Sequence, residues 1–271
     1  MVAARRHRAK VERLTVLGVI AMSLSACAPA PRPFSIAPRR IVDLSPTISE
    51  DLLVRTRGER QLRERGRRGT TKVERLVKRD PYFVFNAFVE LYDHAGAHAD
   101  SPNHVIENGA TVDELPLEGF FGRARVFDFS SRARGSPIVA ADLVDQGIEP
   151  GDIVIVHIGY EPPGPEDLPA YPYLSAEAAE YLAGIPIKAF ASDMPSTGSF
   201  SRYGELAAQG LKGSANVLPE HYALLSRGVQ NIEGLINLGM LVGETDVVFV
   251  GFPLKLAGVS GGPMRAVALV Y

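Results

Sequence analysis

The sequence predicts a single α/β domain with a mixed β-sheet core flanked by helices. Three observations carry that expectation. Short apolar runs with strand character alternate with segments of helical spacing. The 271 residues are 46% hydrophobic and 22% charged, enough for one sizeable core. The 26 glycines and 20 prolines cut the chain into many short elements, which disfavours a helical bundle.

In chain order, "RIVDLSPTI" (40–48) opens the domain as a strand. "YFVFNAFVELY" (82–92) is rich in aromatic and β-branched residues and reads as a strand buried on both faces. "RARVFDFS" (123–130) is a further strand. "VAADLVDQGI" (139–148) has helical spacing and ends before the turn "EPGD". "DIVIVHIGY" (152–160) is a near-continuous apolar strand followed by a Pro-rich loop at 161–172. "SAEAAEYLAG" (175–184) reads as a helix with Ser175 as its N-cap and Gly184 at its end. "IKAFASDMPS" (187–196) is a strand running into a loop at Asp193. "LPEHYALLSRG" (218–228) is a helix with Pro219 in its first turn and Gly228 as its stop. Short strands are expected in "VQNIEGL", "DVVFVGFPL" and "PMRAVALVY".

Residues 1–26 read as a signal peptide. Arg5, Arg6, Arg8, Lys10 and Arg13 precede an apolar run from Leu14 to Leu24, too short to span a membrane. The run ends in "LSAC", which resembles a bacterial lipobox with Cys27 as the lipidated residue. The alternative is plain secretion with Cys27 as a chance thiol. Residues 27–40 then form a lipid-anchored tether and 41–271 the domain. The expected location is an exported lipoprotein facing the periplasm or cell exterior, touching the membrane only through its N-terminal lipid. As the sole cysteine, Cys27 allows no intrachain disulfide.

Without residues 1–26 the chain loses five bases and one acid, leaving 24 Lys/Arg, 30 Asp/Glu and a net charge of −6. That balance gives no indication of nucleic-acid binding. Between Arg55 and Arg79, however, eleven Lys/Arg face three Glu. This run is either a solvated excursion, partly helical or mobile, or a lid that attracts anionic substrates.

"YDHAGAHADSPNH" (92–104) holds half of the six histidines. His94, Gly96, His98, Asp100, Pro102 and His104 all occupy even positions. In an extended chain that spacing points His94, His98 and Asp100 to one side, with Gly96 leaving room for an ion between the histidines. Imidazole and carboxylate suit zinc, manganese or iron(II), and three such ligands leave positions open for water. His157, alone on the strand "IVIVHIG", reads as a satisfied core or rim histidine.

The stretch "HAGAHADSPNH" resembles the H-x-G-T-H-x-D-x-P-x-H signature of the cyclase family of metal-dependent hydrolases. "IVDLSPTI", "GDIVIVHIG", "AFASDMPS", "NIEGLINL" and "LKLAGVSGGPMRAVAL" extend the likeness over most of the domain. The resemblance implies the family's swivelling β/β/α fold and a homo-oligomer, dimer or tetramer. It implies that His94, His98 and Asp100 bind a first metal. Asp100 bridges to a second, held also by His221 and Glu233, and His104 carries the proton. On spacing alone His221 and Glu233 read as surface residues. Asp193 lines the pocket or caps a loop. Ala97 replaces the signature threonine, and the family's tryptophan-containing loop is missing because this chain has no tryptophan.

The expected cofactor is Zn or Mn, one or two ions per chain. The expected activity is hydrolysis of a small amide, cyclic amide or lactone by a water activated at the metal, with His104 as general acid and base. The rival from another class is a surface-anchored, metal-containing binding protein without turnover.

Overall fold

A computed structural model describes residues 37–49, 71–160 and 170–271. The signal peptide, Cys27, most of the tether, the basic stretch up to Thr70 and residues 161–169 of the Pro-rich loop lie outside the described residues. The strands are β1 (Arg40–Asp43), β2 (Thr71–Lys78), β3 (Val84–Leu91), β4 (His98–Asp100), β5 (Phe121–Asp128), β6 (Pro137–Ile138) and β7 (Ile153–His157). They continue with β8 (Tyr173–Leu174), β9 (Ala189–Ser192), β10 (Gln230–Glu233), β11 (Val247–Val250), β12 (Gly261–Pro263) and β13 (Val267–Val270). The helices are α1 (Ala176–Gly184), α2 (Phe200–Ala208), α3 (Ser214–Val217) and α4 (Pro219–Leu225).

Nine strands make one mixed sheet in the order β1-β13-β11-β5-β7-β9-β10-β4-β12. Its centre, β5-β7-β9-β10, is parallel. Both ends are antiparallel. Strand β7 shows why its sequence is continuously apolar. Ile153 and Ile155 face one core while Val154 and Val156 face another, so both surfaces are covered. The second core is closed by Ala178, Ala179 and Leu182 of α1 and by Ala223 and Leu224 of α4. The first core contains Val42, Phe249 and Ala268 from one end of the sheet and Ala99 and Ile232 from the other. The sheet is therefore curled, and its ends share one interior. Ser175 caps α1 by accepting from the Ala178 N–H, and Pro219 opens α4, both as expected.

Two expectations need correction. Residues 139–148 form only a 3-10 turn at Ala140–Asp142, not a helix. Asp142 spends its carboxylate on the Val139 N–H and on Arg132, and Asp145 and Gly147 adopt left-handed backbone that turns the chain away. The run 82–92 is not buried on both faces. Among the described residues its strand β3 pairs only with β2, in a hairpin separate from the main sheet, and Phe85, Phe88 and Val89 are exposed. The sheet takes in the chain from Arg40 onward. Arg40 already pairs with Val270 in the sheet, and Arg39 and Arg40 both reach Glu244. Within the basic run, residues 71–78 are strand, and most of them are exposed.

Candidate metal centre

Strand β4 is the scaffold of the site. It lies antiparallel between β10 and β12, with His98 opposite Glu233 and Asp100 opposite Asn231. Residues directly opposed across an antiparallel ladder point to the same face. Four buried polar side chains, His98, Asp100, Asn231 and Glu233, therefore stand side by side.

The signature is not extended throughout, contrary to the sequence expectation. Only His98–Asp100 is strand; His94 arrives from the turn before it and His104 from a 3-10 turn, Pro102–His104. Gly96 serves the backbone rather than making room for an ion. Its φ of +67° is the left-handed value that turns the chain into β4, and a side-chain carbon there would meet Ile48 at 3.2 Å. His221 comes from α4, more than 100 residues away in sequence.

Three histidines present the same ring atom to the centre, because the other atom is engaged behind it. His94 Nδ1 is held by Asp93 Oδ1 at 2.9 Å, and Asp93 Oδ2 accepts from Ser260 and Gly261. His98 Nδ1 meets the Gly96 carbonyl at 2.9 Å, and His221 Nδ1 meets the Tyr203 hydroxyl at 3.2 Å. The Nε2 atoms then converge. That of His94 is 3.2 Å and that of His98 3.5 Å from Asp100 Oδ1. His98 Nε2 is also 3.8 Å from Glu233 Oε2, while His221 Nε2 lies 3.0 Å from Glu233 Oε1 and 3.5 Å from Asp100 Oδ2. His104 Nδ1 stands 3.1 Å from His94 Nε2.

The charges reflect this crowding. Burial works against a charged His221, yet Glu233 and Asp100 outweigh it and lift its pKa to about 9. Burial likewise opposes a charged His94, but Asp100 and Asp93 raise it well above the ordinary value. Burial would raise Asp100, and the surrounding histidines, His104 foremost, pull it well below the carboxylate range. His104 keeps an exposed edge, but dense packing round the rest of its ring lowers its pKa.

These residues fit a divalent cation. Asp100 Oδ1 is fully buried and accepts no hydrogen bond, although two imidazole nitrogens face it. A buried carboxylate oxygen left in that state wants a cation. Among the described residues, two sets of three offer donor atoms within 4.8 Å of one another: His94, Asp100 and His104, and His98, Asp100 and Glu233. Such a nitrogen and carboxylate set, with the second nitrogen of His94 and of His98 anchored, is what zinc or manganese ligation uses.

A family profile described as "Putative cyclase" matches residues 42–199. The chain belongs to the cyclase family of metal-dependent hydrolases. It is 29% identical over 181 residues to a kynurenine formamidase of Salinibacter ruber, covering 66% of this chain and 77% of that protein. It is 28% identical over 177 residues to a kynurenine formamidase of Maricaulis maris, covering 65% and 77%. Among solved structures, isatin hydrolase A from Labrenzia aggregata bound to benzyl benzoate matches with a TM-score of 0.66 at 26% identity, over 85% of this chain and 93% of that one.

In this cyclase-family chain Asp193 performs the loop-capping role weighed for it. Its carboxylate accepts from the Ile158 and Tyr160 N–H groups and pairs with His157 Nδ1 at 2.8 Å. His157 is thus a satisfied rim histidine. Sequence reading missed Asp93, Thr197, Tyr203, Asn231 and Gly261. Only Asn231 left a local signal: it stands two residues before Glu233 in one strand and so shares its face. Asp93 touches its neighbour His94 but falls outside the signature's even register, and the others meet the site through contacts distant in sequence or through backbone.

Proposed function

We propose that this protein hydrolyses a carbon–nitrogen bond in a small amide or cyclic amide, with a lactone as a further substrate of the same carbonyl type. The observation that carries the reading is the buried, unbonded Asp100 Oδ1 facing His94 Nε2 and His98 Nε2. The formamidase and isatin hydrolase relatives support the choice of bond. His94, His98, Asp100 and Glu233 would hold the ion, Zn or Mn, with His221 beside Glu233. A bound divalent ion lowers the pKa of water and polarises a carbonyl oxygen. Asp93 and the Gly96 carbonyl orient the rings of His94 and His98. His104, exposed on one edge and touching His94 on the other, takes a proton from the attacking water and delivers it to the departing nitrogen or oxygen. A cleft of about 340 Å³, lined by Pro46, Ile48, Phe252 and Leu254 together with the Asp43–Arg265 ion pair, would receive the rest of the substrate; Ile48 abuts the Gly96 turn.

Two variants separate binding from chemistry. His98→Ala should be metal-poor and inactive. His104→Ala should keep its metal and turn over about 10²–10⁴-fold more slowly, least so on an activated ester that needs no leaving-group proton. Metal loss in His104→Ala equal to that in His98→Ala would make His104 a ligand. Full metal content with no turnover of any formamide, cyclic imide or lactone by the unmodified protein would instead favour the binding-protein reading.

A further inference from the structure

We infer that Asn231 stands in for a second cation, so that this chain holds one ion rather than two. The inference rests on the metal centre proposed above. Asn231 Nδ2 donates to Asp100 Oδ2 at 2.9 Å and to Glu233 Oε1 at 3.0 Å, and all three residues are buried. Its amide cannot present the other end, because the Thr197 hydroxyl donates to Asn231 Oδ1 at 2.7 Å. The backbone N–H of Thr197 adds a second donor to Glu233 Oε1, at 2.7 Å.

These hydrogen bonds divide the cluster into two unequal halves. In the half bounded by His94 and His98, Asp100 Oδ1 accepts nothing, and Glu233 Oε2 lies 3.8 Å from His98 Nε2. In the half bounded by His221, the facing oxygens are Asp100 Oδ2 and Glu233 Oε1, and both are already bound by N–H groups. A cation and an N–H donor compete for the same lone pairs. An ion bridging those two oxygens would meet the positively polarised hydrogens of Asn231 as well as competing for the oxygens themselves. His221 then acts as a hydrogen-bonding support of Glu233 Oε1, and His94 and His98 carry the ion.

The test counts ions in the full chain. Protein stripped with a chelator is dialysed to equilibrium against Mn²⁺, and bound metal per chain is measured. The unmodified protein should saturate at one ion. Asn231→Asp exchanges the donor for a third carboxylate in the same shape and should saturate at two. Thr197→Val keeps the volume but frees the amide to turn its oxygen inward, and should bind a second ion at least tenfold more tightly than the unmodified protein does. Two ions of affinities within tenfold in the unmodified protein would overturn the inference, and that count does not depend on how either variant folds. A single ion in both variants overturns it too. No bound ion in the unmodified protein would instead overturn the metal centre, and this inference with it.

Discussion

Asp93 and Asp100 show how much one residue's setting decides. Both carboxylates touch His94, yet Asp93 holds Nδ1 from behind while Asp100 meets Nε2 from the front. Only Asp100 was legible in the sequence, because the even spacing of the signature singles it out. Asp93 falls out of that register and looks like an ordinary turn residue until Ser260 and Gly261 arrive from the far end of the chain. The imidazole charges make a prediction at this scale. Unfolded histidine titrates near 6.5. In the metal-free fold His221 stands at about 9 and His94 well above its usual value, both lifted by carboxylates against the effect of burial. A raised folded pKa gives stability that is fully present below about pH 6.5 and is lost as pH climbs through about 9. A cation held by His94 requires its neutral ring and so acts in the opposite direction there. Scanning calorimetry in chelator should show Tm falling by several degrees between pH 6.5 and 9.5, and saturating metal should shrink that fall by the share that His94 contributes. A metal-free Tm that is flat or rising across this window contradicts the assignment.

At the scale of elements, what was legible follows from length. Strands β7 and β9 and helices α1 and α4 carry enough residues for periodicity, caps and breakers to register. Strands β4 and β12 have three residues each and show no period, although they hold the site. The 139–148 segment has helical spacing, but the Asp142 side chain competes for the backbone, a contest the apolar pattern does not record. Strand β12 places its backbone against His94. A side-chain carbon at Gly261 would lie 2.7 Å from the His94 ring and 2.5 Å from the Asp93 carbonyl oxygen. Gly261→Ala should therefore displace His94, weaken metal binding about tenfold or more and cost roughly 1–3 kcal/mol of stability. Gly210→Ala, where nothing lies within 4 Å, should leave metal affinity alone. Equal metal affinity in the two variants would mean that the close approach of β12 does not set the ligand.

For the molecule as a whole, the β2–β3 hairpin presents several exposed aromatic side chains. A lone two-stranded ribbon is marginal in water, and this one exposes Tyr82 (58%), Phe83 (69%), Phe85 (51%) and Phe88 (69%). At ~200 Å² per ring these aromatics leave on the order of 500 Å² unburied. A two-fold pairing of such arms covers on the order of 1,000 Å², where specific interfaces begin. The apolar run 82–92 read as buried because strand character in a sequence does not say whether a surface is covered. A second copy, which the family resemblance implies, is the partner we propose for it. Sedimentation equilibrium at micromolar concentration should give a dimer or larger, and Phe85→Glu with Phe88→Glu should give a monomer. A monomeric unmodified protein contradicts this. The central claim is that the cluster around Asp100 is a working metal site, and it is tested most directly by the rate of aryl formamide hydrolysis before and after metal exchange. Chelator-stripped protein should lose nearly all activity, and Zn²⁺ or Mn²⁺ added back should restore it. Hydrolysis that continues undiminished in the fully stripped protein would contradict the account.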